Sequence, residues 1–177
     1  MAIYTTMNKV PVAEHCVFES SNLKATIVGN IYDGVCEEDI DNGQALVLKN
    51  YTGEGLQLRE VAKAGVKDQV VIAGTVPVIK DAMTTLQANF NNFYNKAGNP
   101  IRCYEVVKDD IFAISKNFIT GEVAVGKYVC VEADGTYKIY DSDMSATNGF
   151  VGRVHSIATG TFYDMVRILV VQNTTIA

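Results

Sequence analysis

From Glu122 to Val171 apolar and polar residues alternate, interrupted only where turn-forming residues cluster. Alternation puts successive side chains on opposite faces of an extended chain, so such a stretch can bury one face as a strand and has no continuous apolar stripe as a helix. GEVAVGKYVCVEADGTYKIYDSD holds two strand-like runs joined by Ala133-Asp134-Gly135-Thr136. GFVGRVHSIATGTFYDMVRILVV holds two more around Ala158-Thr159-Gly160-Thr161. Consecutive strands with tight, Gly-containing connections predict a small antiparallel barrel or sandwich.

The earlier part of the chain reads the same way with one exception. Residues 1–20 open as a polar, Thr-rich segment with scattered apolar side chains and are expected to form an extended N-terminal arm. Residues 21–177 are expected to form a single β-rich domain, because no linker-like composition interrupts them. Strand-like runs occur at Lys24–Tyr32, Gln44–Leu48, Leu56–Val61 and Gln69–Val78, separated by the turn-forming stretches DGVCEEDIDNG and YTGEG. The exception is Asp81–Lys96, where Met83, Leu86, Phe90, Phe93 and Tyr94 fall three or four residues apart. That spacing predicts a short helix capped by Asp81 and stopped by Ala97-Gly98-Asn99-Pro100. Strands resume at Ile101–Val107 and Asp110–Ser115.

Composition narrows the range of functions. A net charge of -5, with no run of basic residues, argues against nucleic acid as a direct partner. No apolar run reaches the roughly 20 residues of a membrane-spanning helix, so no membrane contact is expected. The N-terminus lacks the basic start and apolar core of an export signal, so Cys16, Cys36, Cys103 and Cys130 are expected to stay reduced as small buried hydrophobes.

The residues most open to a chemical reading favour structural roles. His15 and His155 lie far apart in sequence, and no serine sits in a G-x-S-x-G elbow, so nucleophilic catalysis is not expected. Asp39 and Asp41 match the start of a calcium loop. Gly43 arrives one residue early, however, and Asn50 stands where the closing carboxylate is needed, so a solvated turn is expected. Asp141 and Asp143 read as another acidic turn. The glycines Gly121, Gly126, Gly135, Gly149, Gly152 and Gly160 are spread over turns and strands rather than gathered between a strand and a helix as a phosphate loop. No catalytic residue, cofactor or metal is expected, and the chain is not expected to be an enzyme.

The order of segments carries more. Ile40-Asp41-Asn42-Gly43-Gln44-Ala45-Leu46-Val47-Leu48 is followed by Asn95-Lys96-Ala97-Gly98, Arg102-Cys103-Tyr104 and Asp110-Ile111-Phe112-Ala113-Ile114-Ser115. After these come Val125-Gly126-Lys127-Tyr128-Val129-Cys130-Val131 and Gly149-Phe150-Val151-Gly152-Arg153-Val154. Over roughly residues 40–171 this succession resembles the capsid decoration, or cement, proteins of tailed bacteriophages and prophages. The resemblance implies a β-barrel or β-tulip-like body on the outer capsid surface, made in the bacterial host cytoplasm. It implies the major capsid protein as partner and a symmetric homo-oligomer, with a trimer favoured. Ile3, Tyr4, Val10 and Val12 are then the candidate capsid or subunit contacts of the arm. The chain departs from the smallest such proteins in its longer N-terminus and in the 81–96 segment. Two alternatives stand beside this reading. One is another phage structural protein, a head-fibre base or tail-associated barrel. The other is a small ligand-binding β-barrel with an aromatic pocket of Tyr137, Tyr140, Phe150 and Phe162.

Overall fold

The computed structural model describes residues 15–53, 57–76, 93–160 and 164–177. The described residues are mainly β. In chain order the strands are β1 (Phe18–Asn22), β2 (Ile31–Val35), β3 (Ile40–Asp41), β4 (Ala45–Tyr51), β5 (Leu58–Lys63), β6 (Val71–Ala73) and β7 (Tyr94–Asn95). They continue with β8 (Pro100–Glu105), β9 (Ile111–Ser115), β10 (Ile119–Thr120), β11 (Tyr128–Val131), β12 (Tyr137–Tyr140), β13 (Phe150–Ala158) and β14 (Met165–Asn173). One helical turn, α1 (Ala25–Val28), links β1 to β2, and a 3-10 turn at Lys116–Phe118 follows β9.

Two β bodies result. β2, β5, β4, β6 and β8 close into a barrel in that order; β2 and β5 run parallel and every other pair antiparallel. The second body is a seven-stranded sheet in the order β1-β9-β14-β13-β11-β12-β10. β3 and β7 form a separate two-stranded ribbon. The four strands anticipated between Glu122 and Val171 are β11 to β14, and the Ala133–Thr136 turn joins β11 to β12.

Strand alternation explains how the bodies fit together. In β4 Leu46 points into the barrel while Ala45 joins the core shared with the sheet. In β6 Val71 and Ala73 point inward and Ile72 outward; in β8 Cys103 points inward and Tyr104 outward. These strands are covered on both faces, which is why they read as nearly continuous apolar runs. The shared core is centred on Phe112, whose ring lies 6.2 Å from Phe18, 6.3 Å from Tyr137 and 6.2 Å from Phe150. Tilted and edge-on rings at such separations are the arrangements aromatic quadrupoles favour. Gly74 admits this cluster beside the barrel: a β-carbon there would lie 2.5 Å from the Phe18 ring and 2.7 Å from the Tyr104 ring.

Several sequence expectations change. The predicted helix over 81–96 is not continued to its end: Tyr94–Asn95 is strand β7, paired with Ile40–Asp41, and residues 81–92 lie outside the described residues. Burial of Asn95, whose amide needs partners, outweighs the helical spacing of Phe93 and Tyr94. Among the described residues an α-helical turn lies in Lys24–Tyr32, a run read as a strand from sequence. There the Lys24 amide donates to the Asp110 carboxylate, Thr26 Oγ1 donates to the Leu23 carbonyl, and Gly29 closes the turn at φ +81°. Of the described part of the long run Gln69–Val78, residues 69–76, Val71–Ala73 is strand. Residues 15–20, assigned by sequence to the arm, enter the body. Cys16 and Val17 are buried and Phe18–Ser20 lie in β1, on the edge of the sheet beside β9.

Candidate functional site

A group of hydrogen-bonded polar side chains lies where barrel and sheet meet, around the turn Asp41-Asn42-Gly43-Gln44. An Asn-Gly pair favours a tight turn, and Gly43 takes φ +84°. The turn is held from the sheet side by three bonds. Ala45 N donates to Gly135 O at 3.0 Å, Gln44 Nε2 to Asp134 O at 2.8 Å, and Tyr137 Oη to Gly43 O at 2.8 Å. Gly135 must be glycine: its φ is +74°, and a β-carbon would come within 2.3 Å of the Ala45 carbonyl oxygen.

From the barrel side, Asn42 acts as a clasp. Its Nδ2 donates to Thr75 O at 2.9 Å, while its Oδ1 accepts from Thr75 N at 3.0 Å and from Asn95 Nδ2 at 3.1 Å. Asn95 Nδ2 also donates to Ile40 O at 3.0 Å. One amide side chain therefore ties the chain leaving β6 to the end of β7. Beside it His15 Nδ1 lies 2.6 Å from Asp41 Oδ1, and the His15 ring stacks on Tyr94 at 4.8 Å. Asp41, half out of water, has its carboxyl pushed up by desolvation, and the bond to His15 opposes that shift.

A small cavity of about 60 Å³ adjoins the turn, lined by Cys16, Asp41, Phe118, Thr136 and Tyr137 among others. It has room for one or two waters. Its polar groups are committed within the protein: Asp41 to His15, the Gly43 carbonyl to Tyr137, and Gln44 Oε1 to the Asp41 amide. Burial pushes the Cys16 thiol up to about 12, so it is not a thiolate nucleophile at neutral pH. The arrangement holds chain segments together; it does not poise a reactive atom.

The surface offers a different feature. Ile27 is 86% exposed and Val28 65%, both on α1. The segment around the helix is bound to the end of β8 by Glu105 N to Asn30 O and to the loop after it by Lys24 Nζ to Lys108 O; Val107 in that loop is also exposed. Tyr51, Val76 and Val125 are the other large apolar side chains left in water among the described residues.

The residues singled out from sequence are dispersed. Asp39 caps the Ala97 amide and Asp41 holds His15, while Asn50 is exposed on β4. Asp141 pairs with Lys127 at 3.3 Å, and Asp143 accepts from the Ser145 amide at 2.8 Å. His155 is exposed on β13 at a register shift. Among the described residues no three His, Cys, Asp or Glu side chains converge as a metal-ligand set. The aromatic pocket does not form as expected. Tyr137 and Phe150 are buried against each other at 6.1 Å, Tyr140 lies apart and donates to Glu132 at 2.6 Å, and Phe162 is outside the described residues. Period-two alternation separates these side chains between the core and the other sheet face. Ile3, Tyr4, Val10 and Val12 also lie outside the described residues. The clasp residues Asn42, Thr75 and Asn95 carried no sequence signal beyond the Asn-Gly turn, since their partners lie 33 and 53 residues away.

No protein-family model matches the chain, and no curated protein matches it in sequence. Among solved structures, the N base of the head fibre protein gp8.5 of bacteriophage phi29 is similar at 11% identity and a TM-score of 0.48, over 83% of this chain and 97% of that one. At that level of similarity nothing of that protein's role transfers to this chain.

Proposed function

We propose that this chain is a non-enzymatic structural protein of a tailed-phage virion, and that it decorates the outer capsid surface by bridging neighbouring capsid subunits. What supports the reading is that the resembling sequence pieces fall on strands, distributed over the ribbon, the barrel and the sheet. Residues 40–48 supply β3 and most of β4, residues 95–98, 102–104 and 110–115 supply the end of β7, the middle of β8 and all of β9, and the later pieces supply β11 and the first half of β13. Ile27 and Val28, apolar and outward on a short turn, suit a docking contact that loses water on assembly. Ile3, Tyr4, Val10 and Val12 are the proposed anchors of the N-terminal segment. A capsid repeats one site many times, so a modest contact becomes a firm one when the protein is itself a symmetric oligomer, a trimer in this reading. An acidic chain also suits an exterior position away from the packaged genome.

Cosedimentation with expanded phage capsids assembled without this protein tests the reading. Saturable binding and a raised capsid melting temperature are expected, with binding weakened by the double substitution Ile27→Asp and Val28→Asp. Failure to bind capsids, with binding to isolated tails or head fibres instead, would move the assignment to the other virion reading.

A further inference from the structure

We propose that His15 and Asp41 form a pH-dependent latch that fastens the start of β1 to the β3–β7 ribbon. The geometry is specific. His15 Nδ1 and Asp41 Oδ1 are 2.6 Å apart, a distance typical of a charge-assisted bond, across 26 residues of sequence. The His15 ring lies on Tyr94 with an interplanar angle of 26°, so one side chain touches both strands of the ribbon. The two partners are only 27% and 26% exposed, which keeps solvent from screening the pair completely. The next residues, Cys16 and Val17, are buried, and Val17 N donates to Ser115 Oγ at 3.0 Å. The latch therefore sits one residue before the chain enters the core.

Other charges near the pair do not replace it. Lys63 lies close enough to Asp41 to act on it electrostatically but is committed to Glu38 at 2.6 Å. Asp134 also acts on Lys63 and is held by Thr136. Asp39 is occupied by the Ala97 amide, and the Cys16 thiol is neutral. Histidine is the side chain whose charge ordinarily changes between about pH 5 and 8. When His15 carries its extra proton and Asp41 is ionised, the contact joins opposite charges. When His15 is neutral it falls back to an ordinary hydrogen bond. At the acid end Asp41 takes up a proton, earlier than an exposed aspartate because burial raises its value, and the charge pair is lost there too. The opposite-charge contact is therefore lost at the acid end, where Asp41 takes up its proton, and at the basic end, where an imidazole is neutral.

Amide hydrogen exchange on the full-length protein tests this, expressed as protection factors for residues 16–18 and 94–95 at about pH 5.5 and about pH 8.5, on either side of the histidine range. Protection is expected to fall several-fold, up to about tenfold, at the higher pH, relative to amides in β13 and β14. His15→Gln, which keeps a donor without the charge, should flatten that difference, and Asp41→Asn should do the same. His155→Gln should leave it intact. Equal protection at both pH values in the unmodified protein, or a pH difference that survives in His15→Gln, would overturn the proposal.

Discussion

Tyr137 shows how much one buried polar atom can matter here. Its ring is fully packed between Phe112 and Phe150, and its hydroxyl is spent on the Gly43 carbonyl at the junction of the two bodies. Tyr137→Phe keeps the packing but leaves that carbonyl without its donor. The expected loss is about 1–3 kcal/mol, read as a lower urea midpoint with an unchanged slope. Burial also pushes the Tyr137 hydroxyl well above its ordinary value and the thiols of Cys16, Cys103 and Cys130 up to about 12. All four groups resist ionisation when folded and ionise more readily when unfolded. Their contribution to stability is whole below the unfolded thiol value of 9.0 and drains away as pH rises from there towards 12. Urea unfolding across that alkaline range should show a steadily falling midpoint. The same burial predicts that a thiol reagent labels the four cysteines slowly in the native protein and rapidly in denaturant. Burial of the cysteines was expected from reading them as reduced, small hydrophobes; the bond from Tyr137 to a residue 94 positions away was not legible.

At the scale of elements, strands were legible wherever a period of two ran between turn residues, as in β11 to β14. The signal failed where a side-chain partner from elsewhere overrode local preference. Ala25–Val28 has strand-like composition, yet Asp110 receives the Lys24 amide and the left-handed Gly29 closes a helical turn. Phe93 and Tyr94 continue a helical spacing, yet Tyr94–Asn95 pairs with β3 because Asn42 and the Ile40 carbonyl satisfy Asn95. The ribbon should therefore depend on Asn42 more than on any apolar contact. Asn42→Ala removes the partner of both the Thr75 amide and the Thr75 carbonyl. It is expected to cost about 1–3 kcal/mol, with amide exchange accelerated at Thr75 and Asn95 before it rises in β13 and β14. Asn42→Asp keeps the acceptor but sets a carboxylate oxygen against the Thr75 carbonyl, so it should recover only part of the loss.

Across the whole molecule, barrel and sheet are separate hydrogen-bonded units built around a common core. Ala45, Ile72 and Tyr104 from barrel strands join the same cluster as Phe112, Ile114, Tyr137, Phe150 and Ile168 from the sheet. Neither body can lose its packing without exposing the other's apolar face. Unfolding should then be one transition, with far-ultraviolet circular dichroism and tyrosine fluorescence coinciding in urea. Phe112→Ala, at the centre of the shared aromatic cluster, should lower that single midpoint by an amount equivalent to about 3–5 kcal/mol. Two resolved transitions would mean that barrel and sheet fold independently.

Alternation and turn chemistry by themselves determined that this chain is mainly β, where most strands run and where β11 turns into β12. Those properties follow from steric preferences acting over a few neighbouring residues, which any single sequence displays. Only the tertiary structure decided that the strands divide between a closed barrel and a seven-stranded sheet, and that the turn Asp41 to Gln44 lies where they meet. It also decided that His15 meets Asp41 and that Asn173 Oδ1 accepts the amide of Val70, 103 residues away. Such pairings depend on burial, which makes an unpartnered polar group costly, and burial exists only once distant segments have packed.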